Sequence, residues 1–187
     1  MSPESRGIWF GHTTLTFHDD RPLMHPSAGL YVPVNMRGIL GAGLAAEVRL
    51  AAGPDVELEL REHVPLVLGD AYLVRPGKLA GRGVEAIAFG VAVRDPCETP
   101  RIGMPEMALK RGLELFEDAL IRDITIPLVN RQMPERQPGD NARAVATHIA
   151  AHLRRRSKLR HIKVAGLDNA YLDALRHELL ELGGSTE

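Results

Sequence analysis

In "GIWFGHTTLTF", residues 7 to 17, apolar residues fall at alternate positions on either side of a Gly11-His12 interruption, a period of two that reads as strand. A polar loop, "HDDRPLMHPS", separates this stretch from "GLYVPV", a further strand running into Asn35. After Gly43 the period lengthens. Leu44, Val48, Ala51 and Ala52 fall on one helical face, and Gly53-Pro54 ends the helix. "DVELELREH" reads both ways, because Val56, Leu58 and Leu60 alternate as in a strand while Glu, Leu and Arg favour helix. Downstream, "DAYLV" and "VEAIAFGVAV" predict strands, and the near-continuous apolar run of the second predicts a central strand covered on both faces. Leu109, Leu113, Phe116 and Leu120 mark a helix before the strand "DITIPLV". Val145, Ile149 and Leu153 mark another before "HIKVAGL", and Leu172, Leu175 and Leu179 a last one. Strand and helix alternating in this way predict a three-layer α/β/α domain around a central mixed, largely parallel sheet, with ligands bound beyond the carboxyl ends of the strands.

The 187 residues fit one domain, with residues 1–18 as an N-terminal strand extension, and can bury a core without metal or disulfide support. Cys97 is the only cysteine, which excludes an internal disulfide framework and suits a reducing compartment; with no leader-like start and no apolar run of about 20 residues, a cytoplasmic protein is expected. The formal net charge of -1 gives no global attraction to nucleic acid or anionic lipid, so any such contact must be local.

The most informative stretch is "VNMRGILGAGLA", Val34 to Ala45, where a strand ends in Asn35 and Gly38, Gly41 and Gly43 follow at once. Two explanations stand side by side: tight turns that need glycine, or a phosphate that must touch the main chain at a helix start. No Gly-Lys-Ser/Thr follows, so this is not a P-loop, and Ala46 replaces the third glycine of the dinucleotide fingerprint.

With its neighbours, this stretch resembles the first binding loop of the macrodomain family. The form "NxxGxxGxGxA", filled by Asn35, Gly38, Gly41, Gly43 and Ala45, is most similar to the branch of antitoxin-type ADP-ribosyl hydrolases. "GDAYLVRPGKL", "VEAIAFGVAV", "ITIPLV" and "IKVAGLDNAYLDAL" resemble later family segments in the right order, so the likeness runs from about Asp20 to the end of the chain. The resemblance implies a pocket for ADP-ribose or an ADP-ribosylated macromolecule. In it Asp20 (or Asp19) would accept from the adenine amino group, Asn35 would lie by the distal ribose as the candidate catalytic residue, and Gly38, Gly41, Ala42, Gly43 and Leu44 would cradle the diphosphate. Val129, Asn130 and Arg131 would form the second loop. It also implies a helical "DVELELREH"; no cofactor or metal is expected.

Departures from the family pattern are as specific as the matches. The second glycine-rich loop is replaced by "NRQMPERQPGD", where Arg131 or Arg136 would have to supply phosphate contacts. Where the hydrolytic branch carries a catalytic lysine and an aspartate stand Val93-Arg94 and Pro134-Glu135, and no adenine-stacking aromatic occurs near Leu167 to Asn169. Two alternatives to simple binding therefore remain open. One is an ADP-ribosyl hydrolase acting on protein or nucleic acid; the other is an interaction module in which Arg154, Arg155 and Arg156 of "LRRRSKLRHIK" contact nucleic acid. The default for those arginines is a favourable helix C-terminus. His148 and His152 lie four apart on one predicted helix but lack the glutamate and third ligand of a zinc site.

Overall fold

A computed structural model describes residues 7–129, 137–155 and 157–186. The elements are β1 (Ile8–Phe10), β2 (Thr13–His18), β3 (Gly29–Asn35), α1 (Gly43–Ala52), α2 (Asp55–Arg61), β4 (Ala71–Val74) and β5 (Ala86–Val93). They continue with α3 (Met104–Asp118), β6 (Asp123–Pro127), α4 (Pro138–Leu153), β7 (His161–Ala165) and α5 (Asn169–Glu181). Helix wins over strand at "DVELELR": Val56 and Leu60, four apart, are both buried, while Leu58 between them is exposed.

One seven-stranded sheet has the order β1-β2-β7-β6-β3-β5-β4. β2, β7, β6, β3 and β5 run parallel, and the edge strands β1 and β4 pair antiparallel. β5 is interior, as its buried run predicts, but it lies one strand from the edge rather than at the centre. The first sheet face packs against α3, α4 and α5 through a core holding Tyr31, Leu113, Phe116, Ile149, Ile162 and Leu175. The second packs against α1 and α2 through Leu30, Val32, Val48, Leu60, Ile87 and Phe89. These two helices rest on β3 and β4, so the second face of β2 and β7 carries half-buried polar residues, among them Thr14, Thr16, His161 and Lys163. Five parallel strands bring their carboxyl ends to one edge, and α1 starts there.

Candidate functional site

Asn35 ends β3 and builds the loop that follows. Its side-chain Nδ2 donates to the Ile39 carbonyl at 2.8 Å, and its Oδ1 accepts from the Arg37 and Ile39 N–H groups at 3.1 and 3.3 Å. The amide is 7% exposed and keeps one N–H free of these bonds. From α2, Glu57 Oε1 accepts from Leu40 N–H at 3.0 Å while its Oε2 meets Arg49 Nε of α1 at 2.5 Å, which clamps the loop to both helices.

The three glycines divide by cause. Gly38 (φ +65) and Gly43 (φ +55) adopt left-handed backbone, which side chains disfavour. Gly41 does not, and a Cβ there would meet only Ile39 Cγ2 at an ordinary 3.6 Å. The fold therefore accounts for Gly38 and Gly43 and leaves Gly41 without a structural reason. At the start of α1 the N-cap is Ala42, which has no side-chain acceptor, so the first-turn N–H groups are uncapped among the described residues. These groups carry the positive end of the helix dipole.

A cavity lies on either side of this helix start. The first, about 360 Å³, is lined by Asn35, Ile39, Gly41, Ala42 and Ala45 on one wall and by Val93, Pro96, Cys97 and Pro100 on the other. The second, about 370 Å³, is lined by Arg21, Pro22, Leu44, Glu47, Leu128, Gly166 and Leu167. Both sizes suit half of a dinucleotide-like ligand.

The structure thus gathers Asn35, Gly41, Ala42 and Leu44 at the cavity walls, while Gly38 and Gly43 shape the loop. Asp20 sits beside the second cavity, next to Arg21, with Oδ1 accepting from Arg21 N–H at 2.7 Å and Oδ2 lying 3.6 Å from His25 Nε2. Asp19 is turned to Asn169, whose Nδ2 donates to it at 2.6 Å. Val129 is buried, and its carbonyl accepts from Tyr171 Oη at 2.7 Å, so its part here is to fix the end of the β6 segment. Asn130, Arg131, Pro134, Glu135, Arg136 and Arg156 lie outside the described residues. Val93 lines the first cavity, whereas Arg94 is exposed and is not among its lining residues. The wall from Pro96 to Pro100 and the Arg21-Pro22 and Gly166-Leu167 corners escape the sequence reading, because they come together only through the parallel sheet.

The remaining candidates have other partners. His148 Nδ1 lies 2.9 Å from its own helix's Ala144 carbonyl, His152 Nε2 lies 3.3 Å from Glu117, and no cluster fit for a metal occurs among the described residues. Arg154 stacks its guanidinium over Phe10 and donates to the Leu182 carbonyl, and Arg155 is exposed. No helix among the described residues is long and apolar enough to cross a membrane.

No family model matches the chain. An uncharacterized protein of Aquifex aeolicus is 28% identical over 95 residues, a match covering 51% of this chain and 56% of that protein. Among solved structures, the Oceanobacillus iheyensis macrodomain with ADP superposes with TM-score 0.74 at 16% identity, covering 95% of this chain and 96% of that one. The Trypanosoma brucei macrodomain in complex with ADP-ribose gives TM-score 0.72 at 14% identity over 87% of this chain and 68% of that one. The macrodomain of Mycobacterium tuberculosis DarG gives 0.67 at 13% identity over 81% and 97%. Superposing at these TM-scores over most of its length, the chain has the macrodomain fold.

Proposed function

We propose that the cleft binds ADP-ribose, free or carried on a macromolecule, with the diphosphate on the Gly41–Leu44 backbone and one half of the ligand in each flanking cavity. The observation that carries this reading is Gly41: a missing side chain that the loop does not need, at the mouth of an uncapped helix between two cavities. Macrodomains of the same fold with ADP or ADP-ribose bound support the ligand class. Asn35 offers its remaining N–H to the distal ribose and holds the loop. Its amide has no titratable proton, so it acts as a binding and positioning group rather than as an acid or base. The only titratable side chain lining the first cavity among the described residues is Cys97, which favours binding over hydrolysis.

Calorimetric titration with ADP-ribose, ADP and AMP tests this. ADP-ribose is expected to bind most tightly, because it alone fills both cavities, and AMP most weakly. Equal affinities for ADP-ribose and AMP, or no heat from a folded protein, would overturn the reading.

A further inference from the structure

At the opposite edge of the sheet, the starts of β2, β6 and β7 meet the β1–β2 turn around a hollow of about 500 Å³ whose lining includes Trp9, His12, Arg122, Lys158 and Arg160. Three permanent cations line it and, among the described residues, no carboxylate does. Arg122, Lys158 and Arg160 make no ion pair among the described residues, unlike Arg37, Arg49, Arg75, Arg111 and Arg143 but like several other exposed cations. Among the described residues, the nearest carboxylates in the chain have other partners or positions. Glu117 is taken up by Ser157, by the Lys158 N–H at 2.8 Å and by His152, and Asp123 lies across from His161 on the sheet.

Backbone bonds hold the rim. Arg160 N–H donates to the Arg122 carbonyl at 2.8 Å, and Thr14 N–H to the Arg160 carbonyl at 2.9 Å. Cross-strand pairing sets Trp9 opposite Thr14 and Thr14 opposite His161, so the indole stands on the half-buried polar face that these two residues share. Trp9 is 39% exposed, unlike its neighbours Ile8 and Phe10, which are buried.

From this juxtaposition of unpaired cations and an exposed indole we infer that the hollow and the adjoining sheet face bind single-stranded nucleic acid, with phosphates on Arg122, Lys158 and Arg160 and one base stacked on Trp9. An acidic peptide without aromatic residues, such as poly-glutamate, would satisfy the cations but offers no ring to the indole. A duplex keeps its bases stacked within and leaves the indole unused. With a net charge of -1 the chain has no long-range pull, so the contact is local and salt-sensitive. This site is separate from the cleft and does not depend on its ligand.

Trp9 is the only tryptophan, so its fluorescence reads the hollow directly. The full chain is titrated with a labelled oligo-dT of about 12 nucleotides, within the usual site size, while indole quenching and label anisotropy are followed. Quenching is expected, with log affinity falling against log salt at a slope of about -2 for three phosphates on a single strand. Joint Arg122→Glu and Arg160→Glu replacement should weaken binding by about tenfold or more, and Trp9→Leu by about fivefold or more, with melting temperatures unchanged for the exposed arginine pair. Excess ADP-ribose should not displace the strand. Binding without quenching, indifference to the double charge reversal, or equal binding of poly-glutamate or a duplex of the same length would overturn the inference.

Discussion

Alanine at Gly41 and at Gly38 should have opposite effects on stability and on ligand affinity, because only one of these glycines serves the fold. At Gly38 the backbone is left-handed, and an added Cβ would lie 3.3 Å from Arg61 Cγ and 3.5 Å from Val64 Cγ2. Left-handed backbone costs a side-chain-bearing residue about 1–2 kcal/mol, so Gly38→Ala should lose at least that. At Gly41 neither strain nor crowding applies. There, alanine narrows the unfolded ensemble and should leave stability unchanged or raise it by up to about 1 kcal/mol. The new methyl, however, would stand where the proposed diphosphate approaches the Gly41–Leu44 N–H groups. Losing one charge-assisted hydrogen bond costs about 1.5–3 kcal/mol, or about 10- to 150-fold in Kd. Paired urea melts and ADP-ribose titrations on both variants read the two effects. A Gly41→Ala protein that melts like wild type and binds ADP-ribose as tightly would refute the assignment of the diphosphate to this loop.

Asn35→Asp removes the donor to the Ile39 carbonyl and sets a carboxylate against it in a site 7% exposed, so a loss of about 1–3 kcal/mol is expected in urea denaturation at pH 7. Gly90→Ala would drive a Cβ to 2.0 Å from Tyr31 Oη inside a fully buried neighbourhood, and it should cost about 1–3 kcal/mol or more by the same measurement. Stability should also fall as pH drops below neutrality. Burial holds His18 and His161 below the usual histidine value of 6.5, helped for both by Lys163 and for His18 by His25 and His161, against the opposing pull of Asp20 and Asp123. The unfolded chain therefore takes up protons near 6.5 that the folded one refuses, and stability present above that value is lost as pH falls through it toward the lowered folded values. Joint His18→Gln and His161→Gln replacement should flatten the slope of the urea midpoint between about pH 7 and 5; an unchanged slope would place the titration elsewhere.

The layer architecture is legible because periodicity reports burial. Leu109, Leu113 and Phe116 could only be a helix face, and the alternation of Thr14, Leu15, Thr16 only a strand with one core side. Strand order is not legible in the same way. β5 carries the same buried run whether it lies at the centre or next to β4, since both positions have neighbours on each side and helices on each face. At the site, the sequence singles out Asn35 and the glycines but does not divide them, because φ at Gly38, Gly41 and Gly43 depends on the path back from Asn35 to α1. Arg21, Glu47, Leu128 and Gly166 share a cavity although the chain between them spans most of its length, and no local spacing joins them. The basic run "LRRRSKLRHIK" likewise hides a division: Arg154 is folded onto Phe10, while Lys158 and Arg160 are left to face the hollow beside Trp9.

The central claim is that backbone N–H groups at the start of α1 hold the diphosphate of ADP-ribose. Amide chemical shifts of the nitrogen-15-labelled protein, followed during addition of ADP-ribose, test it most directly. The account predicts the largest shifts at the Gly41, Ala42, Gly43 and Leu44 amides and at the Asn35 side-chain amide, with the Trp9 indole unmoved. Saturating ADP-ribose that leaves Gly41 to Leu44 unshifted, or that moves the Trp9 and Arg160 end instead, would contradict it.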